Sequence, residues 1–114
     1  MFFVWHINKN LQDKIISYLA SVVTESFDRT IHVEVEYDSK ISVDGWTYFD
    51  GDTVFVSYKN KIGLAHELVH VAQILNKRFN PDTQEWEGKV YKAEQPWEDE
   101  DYMLELEVQN KWFM

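Results

Sequence analysis

The sequence predicts an α+β domain with an N-terminal helix, a small twisted and mostly antiparallel sheet of three to four strands, and two further helices. Three observations predict this fold class: an early apolar pattern at helical spacing, two strand-like segments around Asp50-Gly51-Asp52, and a second helical pattern from about Asn60. The 114 residues are 45% hydrophobic and 16% aromatic, which is typical of a globular chain. This length suits a single domain over residues 1–114 with one modest core.

The first two elements are predicted to be scaffold. A helix is predicted from Asn10 to Phe27, because apolar side chains recur there at helical spacing. Ile31 to Tyr37 alternate between apolar and polar side chains, which predicts a strand with one buried face. We expect no chemistry from either element, and we expect His32, on the polar face of the strand, to be solvated.

A hairpin and a second helix are predicted next. The segments Ile41 to Phe49 and Thr53 to Tyr58 flank Asp50-Gly51-Asp52, and this combination is typical of a β-hairpin. The second strand runs almost directly into the helical pattern that begins near Asn60.

The last third of the chain combines a long connection with a final helix. Lys77 to Gln95 is polar and largely without periodicity, and a connection of this length in a small domain is usually functional or mobile. A turn is predicted at Trp86-Glu87-Gly88. Pro96 suits the first position of a helix whose apolar residues are partly periodic as far as Trp112.

The most informative stretch is His66-Glu67-Leu68-Val69-His70, which reads HExxH inside the helical pattern. Two histidines four apart lie on one face of a helix, about one turn from each other, so that both imidazoles can reach one metal ion. Glu67 lies about 100° around the helix axis from His66, where a general base for a metal-activated water belongs. The apolar stripe beside the motif predicts a buried helix that presents its two histidines into a cleft.

The remaining candidate ligands are carboxylates on the predicted final helix. The chain contains no cysteine, and no histidine follows His70. Glu98, in the first turn of the predicted final helix, is the favoured third ligand, and Glu100 is the alternative. Asp101 and Tyr102 share the helix face of Glu98, and either could hydrogen-bond a liganding histidine and so fix its tautomer.

Charge and composition exclude several classes of partner. The formal net charge of −9 disfavours nucleic acid. Five of the eight residues from Glu94 to Asp101 are acidic, and a solvated acidic face accounts for most of them. No segment predicts a membrane span, and the first residues, Met1 to His6, lack the basic region of a signal peptide. With the absence of cysteine, these features favour a cytoplasmic protein.

The segment HELVHVAQ, followed by Glu98 in a downstream helix, resembles the gluzincins, the thermolysin-like zinc peptidases whose third ligand is a glutamate. The pattern Trp86-x-Gly88…Tyr91…Pro96-Trp97-Glu98-x-Glu100 is similar to the small single-domain minigluzincins and to related phage or bacterial zincin-like proteins. The resemblance covers the chain from about Thr53 to Leu106.

This resemblance implies a zinc-dependent metallopeptidase that hydrolyses peptide bonds in a peptide or protein substrate. It implies His66, His70 and Glu98 as ligands of Zn²⁺ and Glu67 as the general base. It also implies a zincin-like sheet packed on the active-site helix. The segment Thr53–Tyr58 would be the edge strand that receives an extended peptide.

The sequence departs from the thermolysin pattern in the residues that would surround an oxyanion. The position four after Glu98 is Tyr102 rather than an aspartate, and no histidine follows Glu98. Tyr91 and Tyr102 are therefore the predicted oxyanion donors. Trp86 and Trp97 are predicted either to wall a side-chain pocket or to fill the core. The chain has no room for the second domain of larger gluzincins, so a latent enzyme or one of narrow specificity is expected.

Two other functions fit the same sequence. A non-catalytic, zinc-stabilised binding module would use the same three ligands to join two helices, and it would not need Glu67. An acidic interaction protein would bind no stoichiometric metal, and its fold would not respond to a chelator. The glutamate inside the motif favours the peptidase over the binding module.

Overall fold

The computed structural model describes residues 7–23 and 30–113 and confirms the α+β class. The described chain forms three α-helices and two small three-stranded sheets. In chain order the elements are α1 (Lys9–Val23), β1 (His32–Tyr37), β2 (Gly45–Asp50), β3 (Thr53–Tyr58), α2 (Lys61–Leu75), β4 (Phe79–Asn80), β5 (Glu85–Trp86), β6 (Lys89–Val90) and α3 (Pro96–Val108), which continues into a π-helical turn, Gln109–Phe113.

The first sheet has the strand order β1-β3-β2. β1 pairs with β3 in parallel, and β2 pairs with β3 antiparallel. The prediction that Thr53–Tyr58 is an edge strand is therefore wrong, because this strand is hydrogen-bonded on both sides. Its sequence, TVFVSY, is almost continuously apolar and four of its six residues are buried, which is typical of a central strand. The edge strand beside the HExxH helix is β2.

The predicted hairpin joins β2 to β3. Gly51 occupies its turn with φ 65°, a left-handed conformation that glycine adopts without steric cost. β2 begins at Gly45 rather than at the predicted Ile41. The chain before it is held to the start of α2, since the Asp44 carbonyl accepts from the Lys59 N–H at 2.9 Å and the Asp44 carboxylate accepts from the Asn60 amide at 2.9 Å.

The HExxH helix, α2, lies at the centre of the fold. Asn60 caps its N-terminus, because the Asn60 side chain accepts from the Gly63 N–H at 2.8 Å. Twelve of its fifteen residues are buried, between the first sheet on one side and α1 and α3 on the others. A Cβ added at Gly63 would lie 2.1 Å from the Asp44 carbonyl oxygen, so glycine lets the chain just before β2 approach α2 closely.

Helix α1 packs on α2 and is scaffold, as predicted. Its buried face carries Ile15, Ile16 and Leu19, which belong to the main core. The predicted helix ran on to Phe27, and its last four residues lie outside the described part of the chain.

The connection between α2 and α3 is more ordered than the sequence indicated. It contains β4, β5 and β6, each of two residues, in an antiparallel sheet. The predicted turn at Trp86-Glu87-Gly88 is confirmed, with Glu87 and Gly88 at φ 50° and 87°. Lys77 and Gln84 are also left-handed, at φ 61° and 57°. The absence of periodicity follows from strands too short to show it.

Helix α3 begins at Pro96, as predicted, and runs along α2 in the opposite direction. Trp97, Asp101 and Val108 form its buried face. Within residues 7–23 and 30–113, none of the helices has the length and apolar character needed to cross a membrane.

Candidate metal centre

Four side chains from two helices converge beside β2. α2 supplies His66 and His70, and α3 supplies Glu98 and Asp101. Glu98 bridges the histidines, since its two oxygens lie 3.1 Å from His66 Nε2 and 2.9 Å from His70 Nε2. One ligand atom from each of the four residues falls within 4.8 Å of the others. The structure thus places His66, His70 and Glu98, the three ligands implied by the resemblance, in one cluster.

The orientation of His70 is set by Gln73, one turn further along α2. His70 Nδ1 lies 2.9 Å from Gln73 Oε1. The Gln73 amide nitrogen donates to the Trp97 carbonyl at 3.0 Å and to Glu100 Oε1 at 3.1 Å, which fixes the amide with its oxygen towards His70. An oxygen accepts, so His70 Nδ1 carries a proton and donates it. His70 therefore presents Nε2 to the cluster, which is the arrangement typical of a metal-binding histidine.

His66 has a different set of neighbours. Its Nε2 faces Glu98, whereas its Nδ1 lies 3.2 Å from Asp101 Oδ1 and 3.5 Å from Glu105 Oε2. The Tyr102 ring lies 5.7 Å from the imidazole, centre to centre. Carboxylates beside Nδ1 favour a proton on that nitrogen and leave Nε2 to accept a cation.

Asp101 is the clearest sign that the cluster suits a cation. This residue has no exposed surface. Its two oxygens lie in ion-pair range, 3.2 Å from His66 Nδ1 and 3.0 Å from His70 Nε2, but among the described residues neither oxygen accepts a hydrogen bond. A buried carboxylate without hydrogen bonds is costly. A cation held among these side chains would offset that cost, because one ligand atom from each of the four residues lies within 4.8 Å of the others.

The charges within the cluster shift one another strongly. Burial acts to lower the pKa of both histidines, but the Asp101 and Glu98 carboxylates outweigh it and raise the pKa of His70 to about 11 and that of His66 to about 8. Burial acts to raise the pKa of Glu98, but the two imidazoles lower it to about 2. Burial dominates for Asp101 and raises its pKa to about 7. Without a metal, both imidazoles are therefore positively charged at neutral pH. A bound cation would displace the second ring proton of each histidine.

Glu67 lies beside the cluster and outside it. The side chain is 6% exposed, and its Oε1 accepts a hydrogen bond of 2.8 Å from the Thr47 hydroxyl on β2. Burial raises the pKa of Glu67, although the His70 charge and the Thr47 hydrogen bond act to lower it. A Cβ added at Gly45 would lie 2.9 Å from Glu67 Cγ, so glycine makes room for this side chain.

A cleft of about 290 Å³ opens over these residues. Residues of β2 and several apolar side chains line it. Besides His66, Glu67, His70 and Glu98, the lining comprises Gly45, Trp46, Thr47, Ile74, Phe79, Pro81 and Trp97. Trp97 thus lines the cleft, where Phe79 stacks on it at 4.7 Å. Trp86 is instead buried against Phe79 and the Arg78 guanidinium.

The two predicted oxyanion donors are not among the residues that line this cleft. Tyr102 is 58% exposed on α3 and contacts the His66 ring. Tyr91 packs edge-on against Trp97 at 6.3 Å.

No protein-family model, curated protein or solved structure matches this chain. Its functional interpretation therefore depends on the geometry and chemistry of the site.

Sequence reasoning placed Asp101 beside a histidine but missed Gln73 and Thr47. Asp101 was expected to orient a histidine, and its Oδ1 lies 3.2 Å from His66 Nδ1; the structure adds that Asp101 also lies inside the cluster. Gln73 stands three after His70, but an amide at that spacing carries no metal signature. Thr47 reaches Glu67 from a different element, which no local pattern reveals.

Glu100, the alternative third ligand, lies outside the cluster. Its carboxylate accepts from Arg78 at 2.9 and 2.6 Å and from the Gln73 amide at 3.1 Å. These contacts occupy both of its oxygens.

Proposed function

We propose that the protein is a zinc-dependent metallopeptidase of the gluzincin type, acting on a peptide or protein substrate. The observation that carries this proposal is that Glu98 meets both histidines of the HExxH helix while Glu67 stands next to them at an open cleft. Two imidazoles, one carboxylate and a neighbouring glutamate are the groups that metal-assisted hydrolysis needs.

His66, His70 and Glu98 would hold the zinc ion. Imidazole nitrogens and a carboxylate oxygen are ligands that zinc accepts in catalytic sites, and the two Nε2 atoms already face the Glu98 oxygens. When bound, zinc supplies Lewis acidity that polarises a carbonyl group and lowers the pKa of a coordinated water to about 7.

Glu67 is the residue that would accept and return a proton. Its raised pKa brings it closer to neutrality, which suits a group that takes up a proton and then delivers it to a leaving amine. The Thr47 hydroxyl binds one of its oxygens and so fixes the direction of the other. The same hydrogen bond ties Glu67 to the strand that borders the cleft.

The substrate would lie along β2. This edge strand begins at Gly45 and borders the cleft, so an extended peptide could pair with it and pass over the cluster. In the zincin-like arrangement that we propose, β2 would take the role that the resemblance implied for Thr53–Tyr58. Phe79 and Trp97 would contact a substrate side chain. Tyr102 beside His66 is better placed than Tyr91 to reach an oxyanion.

The first test measures zinc per chain by elemental analysis in the wild type, Glu98→Ala and Asp99→Ala. Asp99 is the matched control, because it is the next acid on the same helix turn and is exposed. We expect one zinc in the wild type and in Asp99→Ala, and loss or weakening in Glu98→Ala. No zinc in the wild type, even when zinc is supplied, would reject the proposal.

The second test separates catalysis from metal binding. Glu67→Gln should keep the zinc and lose cleavage of a peptide library that the wild type cuts. Cleavage at the wild-type rate would exclude Glu67 as the proton acceptor.

Asp101 favours a second candidate, the non-catalytic zinc-stabilised module. If Asp101 is a fourth protein ligand, the ion has no open position, as in structural zinc sites. That function predicts unfolding on chelation and no cleavage by any variant. The acidic interaction protein predicts that wild-type protein binds no stoichiometric zinc.

A further inference from the structure

We propose that Gln73, Glu100 and Arg78 form a hydrogen-bonded relay that positions His70 for metal binding. We call it the Gln73 relay. It deepens the proposed function, because it rests on His70 being a zinc ligand. None of the three residues belongs to the metal cluster, so they act on the metal through His70.

Gln73 is the centre of the relay. It is 1% exposed, and its side chain makes three contacts: His70 Nδ1 at 2.9 Å, the Trp97 carbonyl at 3.0 Å and Glu100 Oε1 at 3.1 Å. If the amide were turned over, its oxygen would face two acceptors. The amide therefore has one stable orientation, and in that orientation His70 must donate from Nδ1.

Glu100 is fixed in turn by Arg78. The guanidinium donates to both Glu100 oxygens, at 2.9 and 2.6 Å. The Arg78 side chain is only 14% exposed and that of Glu100 only 21%. The guanidinium also lies 4.5 Å from the Trp86 ring centre and bonds Glu87 at 3.0 Å. A two-pronged, partly buried ion pair of this kind holds geometry well. The relay thus connects the β4–β6 sheet to the metal ligand.

A packing role alone does not explain Gln73. The position lies deep in the fold, and a buried amide costs free energy unless all its groups are paired. Leucine or methionine would fill the same volume without that cost. The Gln73 amide nitrogen is paired with Trp97 and Glu100, which leaves Gln73 Oε1 directed at His70 Nδ1. An acceptor in this position orients a metal-binding histidine.

The test measures the zinc dissociation constant by competition with a chromophoric chelator. Gln73→Met keeps the volume and removes the acceptor, and it should weaken zinc binding about 10-fold to 100-fold. Glu87→Gln is the matched control, because it removes a carboxylate from Arg78 without touching Gln73; its affinity should equal that of the wild type. Glu100→Ala removes one of the two acceptors that hold the Gln73 amide, so zinc binding should weaken, but by less than in Gln73→Met.

One further readout separates positioning from folding. In the zinc-loaded wild type, the His70 Nδ1–H proton should give a downfield NMR signal protected from exchange, and this signal should disappear in Gln73→Met.

The outcomes are distinct. If the wild type binds zinc and both Gln73→Met and Glu100→Ala bind it equally well, the relay is wrong and the proposed function stands. If Gln73→Met fails to fold, Glu100→Ala decides alone. If the wild type binds no zinc, both the relay and the proposed function are wrong.

Discussion

Replacement of Thr47 by valine should destabilise the protein through Glu67. Valine has nearly the shape of threonine but cannot donate the 2.8 Å hydrogen bond that Glu67 Oε1 accepts. Glu67 is 6% exposed, so water does not replace the lost donor fully.

The magnitude follows from the charge and burial of the acceptor. A hydrogen bond to a charged group contributes about 1.5–3 kcal/mol, and valine recovers a few tenths through its higher strand propensity. With an unfolding entropy of about 2.1 cal/mol/K per residue, 1.5–3 kcal/mol lowers the Tm of a chain of this length by about 6–12 °C.

Urea unfolding of the chelated protein at pH 7.5 measures this loss. Thr47→Ser, which keeps the hydroxyl, is the control and should lose less. The loss should fall to about 0.5–1.5 kcal/mol when Thr47→Val is made in a Glu67→Gln background, since the acceptor is then neutral. An equal loss in both backgrounds, or none in either, would refute the reasoning.

The remaining predictions concern α2. Gly63→Ala should lower the free energy of unfolding by about 1–3 kcal/mol although alanine favours helix, because its Cβ would lie 2.1 Å from the Asp44 carbonyl oxygen; wild-type stability in urea would contradict that contact. The chelated protein should lose stability between pH 6.5 and 8, because the pKa of His66 is raised to about 8 on folding; its contribution is complete below 6.5 and disappears as the pH rises through 8. The pKa of His70 is raised to about 11, so the loss of stability should continue above pH 8. A free energy of unfolding that stays constant from pH 6.5 to above pH 8 would exclude both pKa shifts. Stabilisation by added zinc should instead grow with pH, since the ion needs neutral imidazoles.

Local patterns were sufficient for the helix that carries the motif and for the turn beside it. The start of α2 near Asn60, the hairpin turn at Gly51 and the start of α3 at Pro96 each depend on residues within a few positions, and the structure has all three. Because α3 starts at Pro96, Glu98 falls in its first turn, and the prediction that it lies near His70 needed only that α3 return to α2.

Strand order and the contacts around the metal cluster depended on distant residues. The parallel pairing of β1 with β3 places β3 in the centre of the sheet. Because β1 and β3 are not joined by a tight turn, no local sequence pattern predicts this pairing. Thr47 reaches Glu67 across 20 residues, and Gln73 reaches Glu100 across 27. Such contacts depend on how β2 and α3 pack on α2, which periodicity along one element does not encode.

The β4–β6 sheet has a consequence for access to the cleft. Its strands have two residues each, and Lys77, Gln84 and Glu87 hold left-handed conformations that cost non-glycine residues of order 1–3 kcal/mol each. Such a unit opens at a smaller free energy than the main sheet, by local unfolding that leaves the core intact. Phe79 on β4 stacks on Trp97, so each opening loosens one wall of the cleft. Amide protons of this sheet should therefore exchange before those of β3, and the wall of the cleft that Phe79 forms should be more mobile than the wall formed by β2.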